Sequence, residues 1–175
     1  LVSYPQVNEL VTASPGDLAA ADVDGDGRPD VVVISPSNRS MSIHSSLPGG
    51  FDFATRSHDF LDGVFGLTLG DSTGDGLADI HLGAFGQDLV QRFTNTGKLD
   101  ALFAPLEQAA LVGSEGVATG DIDGDGDVDL VVAHPTGCSA FLSDGLSPPG
   151  YTRVAVGGTF NLFDSDPRDA RVAIF

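Results

Sequence analysis

Residues 22–30 read DVDGDGRPD, a stretch that packs four aspartates and two glycines into nine positions. Carboxylates this close repel one another, so the stretch is difficult to fold unless a cation lies among them. The pattern recurs as DSTGDGLAD at residues 71–79 and as DIDGDGDVD at residues 121–129, at offsets of 49 and 50 residues. A repeat of this length is therefore the main organising feature of the chain.

Each acidic loop is flanked by apolar runs. The stretch before each loop ends in a small residue (Ala21, Gly70 or Gly120), and the loops are followed by the runs VVVIS, IHLGA and LVVAH. Alternating runs and turns that contain glycine come next, and no segment shows a sustained helical period. One unit is therefore interpreted as four strands, with the acidic loop between the first and the second. The small residues indicate first strands that crowd a central axis.

This pattern predicts an all-β fold of four-stranded antiparallel units that repeat about every 50 residues, which is typical of β-propeller blades. We expect one repeat domain over residues 1–175, with units at about 1–50, 51–100 and 101–150 and the degenerate start of a fourth at 151–175. About three and a half blades are too few to close the usual ring. Either the chain is a fragment of a longer one, or copies of it associate as a homo-oligomer.

The spacing within the loops can be written D-x-[DT]-x-D-G-x-x-D. When the backbone curls, side chains at places one, three and five can converge on one point. Glycine at place six permits the turn, place seven can offer its carbonyl, and the aspartate at place nine closes the shell. Hard oxygen ligands in this number suit Ca²⁺, whereas Mg²⁺ prefers a tighter octahedron with bound waters. There is no cysteine and histidine set of the kind that binds zinc.

Other calcium motifs fit less well. An EF-hand requires a bidentate glutamate at place twelve and flanking helices. Place twelve is Val33, Leu82 or Val132 here, and each lies in an apolar, strand-like run. Calcium-binding β-roll repeats have a period of about nine residues, which is far shorter than this one.

The loops and their flanking runs resemble the FG-GAP/VCBS repeats of integrin α-subunit-type β-propellers, and GAFG at residues 83–86 is similar to the stretch that names the family. The resemblance implies three Ca²⁺ sites, each with side-chain ligands at places one, three, five and nine and a carbonyl ligand at place seven. The implied ligands are Asp22, Asp24, Asp26, Arg28 (carbonyl) and Asp30; Asp71, Thr73, Asp75, Leu77 (carbonyl) and Asp79; and Asp121, Asp123, Asp125, Asp127 (carbonyl) and Asp129. Thr73 lacks a charge, so the second site is expected to bind more weakly.

Composition narrows the partners and the location. The net charge is −17, and 22 of the 25 acidic residues are aspartate, against one lysine and seven arginines. Without a basic patch, nucleic acid is not expected as a partner. No apolar run approaches the roughly 20 residues of a membrane span. Because extracellular calcium modules bind at about 10⁻⁴–10⁻³ M, we expect an extracellular, cell-surface or periplasmic protein.

No catalytic motif of the G-x-S-x-G or H-E-x-x-H type is found. His44, His58, His81 and His134 do not share one repeated place, and they are interpreted as strand residues that face solvent or find a core partner. Cys138 is expected to be a small buried thiol.

Two functions stay open. The favoured one is a non-enzymatic, adhesion or lectin-like scaffold for a protein or glycan ligand, and the alternative is the propeller portion of a secreted carbohydrate-active enzyme such as a polysaccharide lyase.

Overall fold

The computed structural model describes nine segments of the chain. They are residues 14–48, 50–51, 56–59, 63–84, 89–97, 103–110, 116–134, 137–146 and 150–156. The regular secondary structure within them is all strand, apart from one short 3₁₀ turn at Pro36–Asn38. The prediction of an all-β fold is therefore confirmed. In the described part of the chain, no helix has the length and apolarity needed to cross a membrane.

The strands of the described residues form three four-stranded antiparallel sheets and one short hairpin. The first sheet holds β1 (Asp17–Ala21), β2 (Asp30–Ser35), β3 (Ser40–His44) and β6 (Arg56–Asp59). The hairpin between β3 and β6 is β4 (Ser46–Leu47) and β5 (Gly50–Phe51). The second sheet holds β7 (Val64–Gly70), β8 (Asp79–Ala84), β9 (Leu89–Asn95) and β10 (Phe103–Ala110). The third holds β11 (Gly116–Gly120), β12 (Asp129–His134), β13 (Gly137–Ser143) and β14 (Tyr151–Val156).

Each acidic loop connects the first two strands of its sheet, as the sequence predicts. The last residue of the first strand pairs with the aspartate at place nine, in the registers Ala21 with Asp30, Gly70 with Asp79, and Gly120 with Asp129. The apolar run after each loop is the second strand, which has a neighbour on both sides. Both chain ends of each loop are therefore fixed by a rigid pair of strands.

The core is divided between the faces of neighbouring sheets. The larger cluster joins the first two sheets and contains Val23, Val32, Ile34, Met41, Ile43, Val64, Leu67, Ile80, Leu82, Ala84 and Phe93. The smaller cluster joins the second and third sheets and contains Val90, Val117, Leu130, Val132 and Phe141. Val90 and Phe93 of β9 are three residues apart, so they lie on opposite faces of the strand, and they belong to different clusters.

The first strands of the three sheets lie side by side, with β7 between β1 and β11. Leu67 N–H donates to Asp17 Oδ2 over 3.1 Å, and Thr119 Oγ1 donates to the Leu69 carbonyl over 2.9 Å. A Cβ atom on Gly70 would lie 2.9 Å from Thr119 Oγ1, closer than real Cβ atoms approach other atoms. A small residue is therefore required at this position of the crowded inner row.

The fourth strand of each sheet lies beyond the approximate bound expected for its unit. These strands are Arg56–Asp59, Phe103–Ala110 and Tyr151–Val156, whereas units were expected at about 1–50, 51–100 and 101–150 and the start of a fourth at 151–175. Tyr151–Val156 therefore supplies the outer strand of the third sheet. Cys138 lies in β13 and is half-buried, not fully buried. The rest of the expected fourth unit, residues 157–175, lies outside the described residues. The division of the chain into domains stays a prediction.

Candidate metal centre

The aspartate at place one holds each loop in its curl. Asp22 Oδ1 accepts hydrogen bonds from the N–H groups of Gly25 (2.8 Å) and Asp26 (3.1 Å), and Asp22 Oδ2 accepts one from Gly27 (2.7 Å). Asp71 and Asp121 accept two backbone N–H groups each in the same way. These short-range bonds supply the partners that a non-helical, non-strand backbone otherwise lacks.

Both glycines of every loop have positive φ, a conformation that costs other residues energy. At place four the φ angles are 77°, 70° and 82°, and at place six they are 84°, 87° and 98°. Sequence reasoning assigned a role only to place six. Glycine also occupies place four in all three loops, and this recurrence in the sequence could have indicated a second position with positive φ.

The aspartate at place nine is fully buried in every loop, at 0% exposure. One oxygen accepts the N–H of place two, and the other accepts the N–H of a residue at or just after the end of the third strand. For Asp129 these donors are Ile122 and Ser143, both at 2.8 Å. The corresponding bonds to Asp30 and Asp79 are between 2.7 and 3.0 Å long. This carboxylate therefore ties the acidic loop to the third strand of its own sheet.

The structure brings places one, three and nine together in two loops. Asp22, Asp24 and Asp30 each offer one carboxylate oxygen within 4.8 Å of the others, and Asp121, Asp123 and Asp129 do the same. In the first loop, Asp24 Oδ1 is buried and has no hydrogen-bond partner among the described residues. An orphaned, buried carboxylate oxygen is costly on its own, and it is what a hard cation would satisfy.

The electrostatics of these clusters favour a cation. Burial raises the pKa of Asp24, and the nearby charge of Asp30 raises it further. Desolvation also raises the pKa of Asp123, with neighbouring carboxylates adding to the effect. Both shifts mean that the arrangement disfavours the ionised form, and a bound cation would reverse this. The residues present thus fit a calcium ion in the first and third loops.

Places five and seven are arranged differently from places one, three and nine. The carboxylates of Asp26, Asp75 and Asp125 each accept the N–H of the residue at place seven over 2.9 Å. Asp26 also pairs with the Arg28 guanidinium, whose Nε donates to the Ser46 carbonyl over 3.2 Å. The three-carboxylate clusters of the described residues do not include place five. Ligation by places five and seven stays a prediction.

The second loop has the same curl with fewer charges. Thr73 Oγ1 donates to Asp71 Oδ1 over 3.4 Å, so places one and three again lie together. Ser72 donates to Asp79 Oδ2 through its N–H (3.0 Å) and through its hydroxyl (2.6 Å). Burial raises the pKa of Asp79, and these hydrogen bonds oppose the shift. The metal site expected here from sequence stays a prediction, with two carboxylates and one hydroxyl at places one, three and nine.

The histidines lie in strands, and three of them are buried. Nε2 of His44 lies 3.0 Å from a serine hydroxyl, and Nε2 of His134 lies 3.2 Å from another. His81 is fully buried, and neither ring nitrogen has a hydrogen-bond partner among the described residues. Burial and the neighbouring charge of Arg92 lower the pKa of His81 to about 3. The expected core partner is therefore found for two histidines and is not found for His81 among the described residues, while the side chain of His58 lies outside them.

Comparison with known families identifies the repeat. Residues 22–82 match the family model of the FG-GAP-like repeat, from the first aspartate of the first loop to a residue inside β8. A search of curated proteins found no match. The matched segment covers the first two acidic loops, and the third loop repeats the pattern beyond it. Residues 22–82 are therefore similar to an FG-GAP-like repeat.

Proposed function

We propose that this chain is a calcium-binding, propeller-type repeat module of a secreted or cell-surface protein, and that it serves as a scaffold for a protein or glycan ligand. The observation that carries the calcium assignment is the convergence of three carboxylates in both the first and the third loop. The FG-GAP-like repeat supports the scaffold and its location outside the cytosol.

The first ion would be held by Asp22, Asp24 and Asp30, and the third by Asp121, Asp123 and Asp129. Ca²⁺ supplies positive charge among oxygens that otherwise repel one another. The second loop, with Asp71, Thr73 and Asp79, would bind with lower affinity because one carboxylate is replaced by a hydroxyl. The aspartates at place nine would then connect each ion to the third strand through the buried hydrogen bonds described above.

Exposed apolar side chains beside the loops support a binding surface at this end of the sheets. Leu47 follows Ser46, whose N–H donates to Asp30 over 2.7 Å, and the Leu47 residue is 48% exposed. Leu146 lies three residues after Ser143, whose N–H donates to Asp129, and it is 62% exposed. The first and third loops therefore each have an exposed leucine in the adjacent segment after the third strand. Calcium would hold these segments in place for a ligand.

The calcium assignment is tested by thermal unfolding in excess Ca²⁺, in excess Mg²⁺ and in EGTA. At 100 times its dissociation constant, each ion would stabilise the fold by about 2.7 kcal/mol. For a chain of this size, the melting temperature should therefore fall by several degrees per site in EGTA. Mg²⁺ should restore little of the loss. Identical melting curves in Ca²⁺ and EGTA would disprove the assignment.

The scaffold role is tested by screening the calcium-loaded chain against immobilised glycans and polysaccharides, with product analysis by mass spectrometry. Retention of a glycan without any change in its mass supports a binding module. Cleavage of a polysaccharide would contradict it and would favour the alternative of a carbohydrate-active enzyme.

A further inference from the structure

One buried side chain contacts both of the first two acidic loops. Asn95 is the last residue of β9 and is 2% exposed. Its Nδ2 donates to the Val23 carbonyl in the first loop over 2.7 Å and to the Ala78 carbonyl in the second loop over 3.1 Å. Its own N–H donates to Asp79 Oδ1 over 2.8 Å, and its Oδ1 accepts the N–H of Gly97 over 2.9 Å. Each polar group of the Asn95 side chain is thus used.

The contact in the first loop lies at its carboxylate cluster. Val23 stands between Asp22 and Asp24, and its N–H donates to Asp30 Oδ2 over 2.9 Å. The backbone at Val23 is therefore held by the cluster on one side and by Asn95 on the other. The backbone of Val23 thus connects the first cluster directly to the Asn95 amide.

An apolar contact joins the same two loops. The Leu77 side chain of the second loop lies beside Gly25 of the first, where a Cβ atom would be 3.4 Å from Leu77 Cδ2. Gly25 lies next to Asp24 in the chain, and Leu77 is place seven of the second loop. The two loops are thus in direct contact as well as bridged by Asn95.

The other two sheets have serine at the corresponding position. Ser46 and Ser143 donate their N–H groups to Asp30 and Asp129 as Asn95 does to Asp79. A serine hydroxyl has one hydrogen to donate, whereas an asparagine amide has two. Of the two residue types found at this position, only asparagine can therefore donate to two carbonyls at once through its side chain.

We propose that Asn95 couples calcium binding at the first and second loops, so that an ion in one raises the affinity of the other. This inference rests on the calcium function proposed above. An ion in the first loop would fix the Val23 carbonyl, and with it the Asn95 amide. The Asn95 N–H would then be in place for Asp79 before the second ion arrives. Binding of the first ion already orders the Asn95 contacts, so binding of the second ion has a smaller entropy cost, and the coupling is positive.

The experiment follows each loop separately by NMR of the ¹⁵N-labelled chain during a Ca²⁺ titration. The amides of Gly27, Gly76 and Gly126 donate to the aspartate at place one of their own loop, so each reports on one site. The second loop is disabled with Asp71→Ala. We expect the dissociation constant of the first loop to rise at least about fivefold, the lower end of typical coupling between sites. The third loop is the internal reference and should not change.

The role of Asn95 is then tested with Asn95→Ser, which installs the residue found in the other two sheets. In this background, Asp71→Ala should change the dissociation constant of the first loop by less than about twofold, which is below the usual range of coupling between sites. Thr119→Val is the matched control, because it removes two hydrogen bonds between the second and third sheets, to the Thr68 hydroxyl and the Leu69 carbonyl, but none to the acidic loops. The control should keep the coupling.

The outcomes separate the two proposals. If no glycine signal shifts at about 10 mM Ca²⁺, well above the affinity range of extracellular sites, the calcium function is wrong and the coupling falls with it. If all three loops titrate and the first is indifferent to Asp71→Ala, only the coupling is wrong. Coupling that survives Asn95→Ser would overturn the role of Asn95. The first comparison leaves residue 95 unchanged, so it decides the coupling even if Asn95→Ser does not fold.

Discussion

Asp129 should stabilise the fold whether or not calcium is present, and Asp129→Ala tests this. Its two oxygens accept the N–H groups of Ile122 and Ser143, both over 2.8 Å, and the side chain is fully buried. Alanine would leave both donors without a partner. Since the same residue is a candidate ligand, its structural role must be measured in EGTA, where no ion contributes.

The expected loss can be worked from these two bonds. A buried donor left unsatisfied costs about 1–3 kcal/mol. The bond to Ser143 is buried, so its donor bears a full penalty, while Ile122 lies in a part-buried region where water can replace the carboxylate. We therefore expect a loss of about 2–4 kcal/mol in the free energy of unfolding. That is a large fraction of the 5–15 kcal/mol typical of a domain.

The assay is urea unfolding followed by circular dichroism, in EGTA and in Ca²⁺, with Asp123→Ala as the matched control. Asp123 belongs to the same cluster but is exposed, and its carboxylate accepts the Asp125 N–H over 3.3 Å. In EGTA its replacement should leave the unfolding midpoint unchanged or raise it, because desolvation and the neighbouring carboxylates raise the pKa of Asp123 and so disfavour its charge. In Ca²⁺ both variants should lose the stabilisation from the third ion. Equal unfolding midpoints for the two variants in EGTA would refute the structural role of Asp129.

Three further predictions concern single residues. Gly76 has φ of 87° with open space around its Cβ position, so Gly76→Ala should cost about 1–2 kcal/mol in urea unfolding without a steric clash. The pKa of His81 is lowered to about 3, so between about pH 6.5 and pH 3 the unfolded chain binds a proton that the folded chain does not, and the free energy of unfolding falls as the pH falls. His81→Val removes this group and introduces the residue type found at Val32 and Val131. The free energy of unfolding measured over that pH range should therefore fall less in the variant. Thr73→Asp should tighten calcium binding at the second loop in a calorimetric titration, and an unchanged affinity would contradict its assignment as a ligand position.

The local features of the fold were predictable from the sequence. The positions of the loops, the strands on either side of them and the four-stranded units depend on residue types within one repeat. The alternating aspartates, the glycines at tight turns and the β-branched runs favour loops, turns and strands because of the chemistry of these residue types themselves. The convergence of Asp22, Asp24 and Asp30, and of their equivalents in the third loop, follows from the same short-range curl.

The contacts between distant segments were not predictable. The second donor to the place-nine aspartate is a backbone N–H that lies 14 to 16 residues further along the chain, and a backbone donor is not encoded by residue type. These donors belong to Ser46, Asn95 and Ser143. The bridge from Asn95 to Val23 spans 72 residues and depends on how the first two sheets face each other. That neither ring nitrogen of His81 has a hydrogen-bond partner among the described residues likewise depends on how the strands pack, because strand periodicity assigns a residue to a face but not to a partner.

The close approach at Gly70 has a geometric consequence for the whole array. Its missing side chain lets the inner edges of the second and third sheets meet at Thr119 and Val128. A methyl group there would move the inner edges apart without moving the outer edges, so the angle between the second and third sheets would become smaller. Since the angle between neighbouring sheets determines how many sheets complete a full turn, the curvature of the array depends on keeping this position free of a side chain.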